Sequence, residues 1–195
     1  MRLSRYLSRA LFVCGIFLIV AALIVFTWGS ISRARGTETR ETILKKLGEL
    51  TPDTFDAVLD DKGNTDMSSV QIDGYDIIGC LEVPVYDRKL PVCNDFTHEI
   101  QNVIPHRYSG SIHNGTLVIS GSGHGGQFDF MKKISVADPI YFTDVDGGRY
   151  SFTVDNVIIT KDVSLHYFDT LRADLIFFAR NVYSFDYTVV ICSYD

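Results

Sequence analysis

From Ile77 to the C-terminus the sequence is a succession of short β-rich runs, each cut off by Gly, Pro, Asn or Asp. This punctuation constrains the fold more than any other feature, because short runs bounded by turn formers leave no room for buried helices and read as strands. Residues 79–84 and 89–93 form two such runs, joined at Tyr86-Asp87-Arg88. Residues 116–120, 139–143, 149–153 and 157–160 follow, and the last two runs are 175–179 and 187–192. Asp146-Gly147-Gly148, between two runs, is a hairpin signal, since tight hairpin turns need positive φ that glycine adopts freely. About eight strands at this spacing, with few convincing helices, predict a mainly β fold: a small closed barrel.

The N-terminus obeys different physics. Residues 10–28 are uncharged and apolar over 19 positions, long enough at 1.5 Å per residue to cross a hydrocarbon core of ~30 Å. A cleaved signal peptide has a shorter apolar core, ~7–15 residues, ending in small residues. This run ends in Phe26-Thr27-Trp28, so a retained single-pass transmembrane helix is expected. Arg2, Arg5 and Arg9 precede it against Arg33 and Arg35 after it, a weak bias towards a cytoplasmic N-terminus. Everything of globular size follows the span, which places the domain outside the cell. The chain thus divides into an anchor with basic flanks (1–35), a stalk or linker with an amphipathic helix (36–70) and a β-barrel domain (71–195). In the short stalk helix Ile43, Leu44, Leu47 and Leu50 share one face, with Glu38, Arg40, Lys45 and Lys46 largely elsewhere. Residues 60–66, rich in charge and turn formers, read as a loop.

Charge and cysteine content narrow the function. The whole chain carries −6, but five of its 18 basic residues and none of its 24 acidic ones precede position 36. The remainder holds 13 basic against 24 acidic residues, a formal −11. Such a domain repels polyanions, so nucleic acid is not an expected partner. Four cysteines are too few for a disulfide scaffold. Cys14 falls in the apolar run, and Cys80 and Cys93 flank the first hairpin, where they could pair in an oxidising exterior or stay free. His98, His106, His113 and His166 have no metal-ligand spacing, and neither metal nor cofactor is expected. Asp144, Asp146 and Asp162 could be read as a calcium set, but Asp144-x-Asp146-Gly is the pattern of a turn. Asn114-Gly-Thr116 fits a glycosylation acceptor and equally a tight turn.

The motifs Ile78-Gly-Cys-Leu-Glu-Val-Pro84, Leu90-Pro-Val92, Arg107-Tyr-Ser-Gly110, Leu117-Val-Ile119, Phe142-Thr-Asp-Val-Asp-Gly147 and Asp174-Leu-Ile-Phe-Phe178 occur in an order and spacing that resembles the class B-like sortases, membrane-anchored cysteine transpeptidases of Gram-positive bacteria. The resemblance implies a sortase barrel at the cell surface and a partner peptide or surface protein with a sorting-type signal. Sortases use a thiolate that attacks a threonyl carbonyl, a histidine that moves protons and an arginine that stabilises the oxyanion. In relatives the histidine follows a strand in a pattern like Val-Ile-Ala-Gly-His; here Val118-Ile-Ser-Gly-Ser122 offers Ser122. The cysteine ends a pattern like Asp-Leu-Thr-Leu-Phe-Thr-Cys; here Asp174-Leu-Ile-Phe-Phe-Ala-Arg180 offers Arg180. The arginine opens a pattern like Arg-Val-Thr-Val; here Tyr187-Thr-Val-Val190 offers Tyr187. A guanidinium, always protonated, cannot accept an acyl group. The expectation is therefore a degenerate sortase, a pseudoenzyme that binds a peptide without cleaving it.

Two substitutes for the missing groups stand beside that expectation. His124, in the glycine-rich loop 121–126, and Cys192, in Val-Val-Ile-Cys-Ser-Tyr-Asp, would make an active cysteine transpeptidase or hydrolase if they met. A serine mechanism would take Ser122 or Ser120 as nucleophile, His124 as base and Asp129 as orienting group. Against it, residues i and i+2 of a strand share a face but diverge. Tyr167 and Phe168 lie where the resemblance implies a substrate-facing element, although core packing also accounts for them. Arg180 is expected to hold a peptide carboxylate.

Overall fold

The computed structural model describes residues 2–50, 67–97, 100, 103–181 and 184–195; the expected loop 60–66 and His98 lie outside them. Nine strands form one sheet: β1 (Val70–Ile72), β2 (Tyr75–Val83), β3 (Arg88–Cys93), β4 (His106–Ser109), β5 (Leu117–Ser122), β6 (Pro139–Asp144), β7 (Arg149–Thr160), β8 (Leu175–Arg180) and β9 (Tyr187–Tyr194). Their order is β1-β2-β3-β4-β5-β8-β9-β7-β6, and β2 also pairs with β6. That last pairing closes eight strands into a barrel and leaves β1 as an added hairpin arm, so β2 has a neighbour on both sides. Closure depends on Gly79, where a Cβ would meet the carbonyl oxygen of Thr143 at 2.4 Å.

The expected runs 149–153 and 157–160 are a single strand, β7. Its register against β9 shifts between Val154 and Asn156, so the polar break in the sequence is a β-bulge and not a turn. The β2–β3 connection is a short 3-10 turn over Pro84–Tyr86, with Asp87 left-handed at φ 50°. At the expected hairpin, Gly147 takes φ 90° and the Asp144 amide donates to the Gly148 carbonyl at 2.9 Å.

Two-residue periodicity sorts the side chains. Leu117 and Ile119 of β5, Leu175, Phe177 and Ala179 of β8, and Val190 and Cys192 of β9 point into the barrel, among Phe128, Phe142 and Phe152. Their alternates Val118, Ile176, Phe178, Val189 and Ile191 face outward and are covered by Phe168. Phe168 belongs to a short helix, α2 (Leu165–Thr170), whose N-terminus is capped by the Ser164 side chain. Each fully buried Phe, Leu or Ile contributes about 1.5–3 kcal/mol through lost apolar hydration.

Helix α1 runs over Arg2–Leu50 and belongs to two compact units, Met1–Arg35 and Gly36–Asp195. Among the described residues no helix is long and apolar enough to cross a membrane, so the anchor rests on the sequence of residues 10–28. In the second unit the end of α1 packs directly on the barrel. Ile43 and Leu47 are buried with Ile72, Ile77, Cys80, Cys93 and Ile104, and Arg40 is buried as well.

Candidate functional site

A groove of about 1000 Å³ lies on the outer face at one end of β5, β8 and β9; Ser120, Ser122, Phe178, Arg180 and Tyr187 line it together with the loop residues Gly123 and His124. Strand register explains why. Ser122 is opposite Arg180 across the parallel β5–β8 pair, and Arg180 is opposite Tyr187 across the antiparallel β8–β9 pair. Side chains directly opposite one another share a face. Residues from three separate strands are therefore contiguous, and they are the three offered at the positions where the sequence resemblance implies histidine, cysteine and arginine.

Aromatic rings build the wall beside them. Tyr108 meets Phe178 edge-on at 5.2 Å and Phe168 at 5.9 Å, while Phe178 meets Tyr187 at 6.0 Å. The Tyr108 hydroxyl donates to the Val163 carbonyl at 3.0 Å, tying β4 to the segment before α2. Tyr167 and Phe168 do not line the groove. Phe168 is buried behind Tyr108 and Phe178 and Tyr167 packs beside it; the aromatic side chains lining the groove here are Tyr108, Phe178 and Tyr187. The rim includes Phe185, 83% exposed, with the Arg180 guanidinium 5.3 Å from its ring centroid.

Apart from its tyrosines, the titratable side chains that line the groove are all basic. Arg107, Arg180, His106 and His124 line the groove and, among the described residues that line it, no aspartate or glutamate does. In a domain of such acidic balance that is a local inversion of sign. His106 is 5% exposed, lies opposite Ser120 and meets the Phe96 ring at 4.9 Å, tilted by 51°. Burial pulls its pKa below the ordinary histidine value. The sequence marks His106 only as a histidine without metal-ligand spacing; its burial comes from its place on β4.

The glycine-rich loop brings together two groups expected to diverge. Ser122 Oγ lies 2.7 Å from His124 Nδ1. Strand geometry does not apply beyond Ser122, the last residue of β5. Gly123 backs against the Arg180 carbonyl, where a Cβ would sit 2.6 Å from the oxygen, and Gly125 and Gly126 take positive φ of 70° and 78°. The chain folds back, and His124 returns over Ser122. The loop is held at its base as well. The Ser122 amide donates to Gln127 Oε1 at 2.9 Å, the Phe128 amide donates to the Ser122 carbonyl at 3.0 Å, and Arg40 donates to Gly125 O at 2.8 Å and Val103 O at 2.9 Å. Asp129 is engaged elsewhere, 3.4 Å from Arg88, and does not orient the imidazole.

Cys192 is far from all of this. It is opposite Leu175, five residues from Arg180 and therefore about 17 Å along the strand, and it is wholly buried in the barrel. Burial raises its thiol pKa strongly, the reverse of what a nucleophilic thiolate needs. Strand register does not bring His124 and Cys192 together: His124 follows β5 and lines the groove at the Tyr187 end of β9, on the outer face, whereas Cys192 is near the other end of β9 and points into the barrel. Cys80 and Cys93 are buried free thiols whose register partners are Pro91 and Ile77, so they do not face each other. Burial pushes Cys80 up to about 12. Asp144 accepts from the Gly148 amide at 2.7 Å and the Tyr150 hydroxyl at 3.1 Å, while Asp162 accepts from the Ser164 amide at 2.9 Å. They serve separate turns and do not form a cation set.

No known family's sequence pattern matches the chain, and no curated protein sequence matches it. Solved structures do. Sortase A from Corynebacterium diphtheriae superposes with a TM-score of 0.53 at 20% identity, over 62% of this chain and 61% of that one. The pilus-related sortase C of Group B Streptococcus gives 0.55 at 15% identity, over 69% and 76%. Sortase C1 from Streptococcus agalactiae gives 0.55 at 18% identity, over 64% and 70%. At these identities the likeness is one of fold: the closed eight-stranded barrel is the sortase barrel.

Proposed function

We propose that this sortase-fold protein is anchored in the cell membrane by residues 10–28, presents its barrel outside the cell, and binds a peptide segment of a surface protein without thiol-based transpeptidation. The observation that carries this reading is the register of Ser122, Arg180 and Tyr187 across three adjacent strands on the groove floor. A cation occupies the place where the fold's relatives are expected to hold their thiol, and among the described residues lining the groove there is no cysteine. Such a site cannot form a thioester. It can hold an extended peptide against Tyr108, Phe178 and Tyr187 and receive a carboxylate at Arg180, since a charge-assisted, bidentate contact suits guanidinium.

Titration of the detergent-solubilised full chain with peptides ending in a free carboxylate or an amide tests the proposal. Arg180→Ala should weaken binding of the free acid by about tenfold or more, given about 1.5–3 kcal/mol for a hydrogen bond to a charged group. The amide should bind both proteins alike. Equal affinity of the free acid for the two proteins would remove Arg180 from the site.

A further inference from the structure

The Ser122–His124 pair shares the groove floor and the Arg180 cation with the peptide site proposed above. We infer that it is a serine acyl-transfer site acting on carboxylic esters. Three features on the groove floor support this. Ser122 Oγ and His124 Nδ1 are 2.7 Å apart, within the reach a general base needs. The backbone that sets this distance is fixed from both sides by Gln127, by the Phe128 amide and by buried Arg40. The register partner of Ser122 is Arg180, a cation beside the position where negative charge would develop.

The step balances without any further reagent. With the imidazole proton on Nε2, Nδ1 accepts the Ser122 hydroxyl proton as Oγ bonds to the ester carbonyl carbon. The carbonyl oxygen becomes an oxyanion beside Arg180. Collapse breaks the bond to the alkoxy oxygen, which takes the proton from His124 and leaves as an alcohol. A water molecule then repeats the sequence: it loses its proton to His124, attacks the acyl-serine and releases a carboxylic acid as Ser122 regains its proton. His124 is exposed, so water has free access and hydrolysis follows acylation.

The substrate class follows from what is present. Asp129 is occupied by Arg88, so the imidazole is oriented by its loop backbone rather than by a carboxylate. Without that electrostatic support the pair suits an ester, whose alkoxide leaves readily, better than an amide. The acyl chain would lie on the Tyr108–Phe178–Tyr187 wall, which favours a short apolar acyl group.

The test uses the full chain in detergent with a fluorophosphonate probe, which labels an activated serine by displacing fluoride, and with p-nitrophenyl butyrate. Intact mass should show one phosphonate, located at Ser122 by peptide mapping, and slow ester turnover that rises with pH. Ser122→Ala should abolish both. His124→Gln should reduce labelling at least about 100-fold and remove the rise with pH, a signature that a purely structural role for the histidine would not produce. No adduct in the wild-type chain, an adduct at another residue, or labelling indifferent to His124→Gln would overturn the inference. Carboxylate-peptide affinity measured on Ser122→Ala separates the two proposals: retained affinity with lost labelling means binding and acyl transfer are distinct properties of one groove.

Discussion

Strands β8 and β9 lie side by side over their whole length, yet their two ends are chemically opposite. At one end Leu175 faces Cys192, both wholly buried among barrel-filling side chains. At the other Arg180 faces Tyr187 on the floor of an open groove. Both ends contain a residue type on which acyl chemistry could be imagined, a thiol at the first and the neighbours of Ser122 at the second. Side-chain direction and burial, not residue identity, separate them. A thiol in a dry core is a small apolar group that resists ionisation. A serine at the edge of a glycine loop meets an imidazole and water.

Truncation should expose this difference most strongly. Leu175→Ala, at the sealed end, removes a fully buried side chain and should cost about 2–5 kcal/mol in denaturant unfolding. Tyr187→Phe, at the open end, keeps the ring against Phe178 and should stay within about 0.5 kcal/mol. Comparable losses at both ends would mean the groove floor is part of the core.

A smaller effect distinguishes the open end by pH. Burial lowers the pKa of His106 from its usual 6.5, so below that value the unfolded chain binds a proton that the folded chain resists. Stability should therefore fall as pH drops through about 6.5, with a slope of at most one proton, about 1.4 kcal/mol per pH unit. Buried Asp144 has its pKa raised, chiefly by desolvation, and so acts with the opposite sign, in the carboxylate range. His106→Phe should flatten the slope between pH 5.5 and 7.5 in thermal unfolding. An unchanged slope would assign the acid sensitivity to another group.

Much of the barrel was legible because strand punctuation is local. The runs at 79–84, 89–93, 116–120, 139–143, 175–179 and 187–192 each fall on an observed strand, with ends displaced by a few residues. What was missed depends on distant partners. His106–Ser109 has no apolar alternation and becomes β4 only because β5 and the end of β3 pair with it. The break at Asp155-Asn156 looks like a turn until β9 absorbs it as a bulge. The contiguity of Ser122, Arg180 and Tyr187 could be reached from sequence by way of family resemblance. Their hydrogen-bonding neighbours could not. The Ser122–His124 contact arises from backbone folding at three glycines, and the hold of Arg40 on Gly125 spans 85 residues. A position that reads as a solvated helix face thus became a buried clasp.

The most direct test of the division between the two ends is the rate at which Cys192 reacts with iodoacetamide in the folded full chain near neutral pH, read by peptide mass mapping. Cys192 should stay unmodified until denaturant unfolds the barrel, along with Cys80 and Cys93. Rapid alkylation of Cys192 in the native protein would place an accessible, activated thiol where the structure has a sealed core, and would contradict the account.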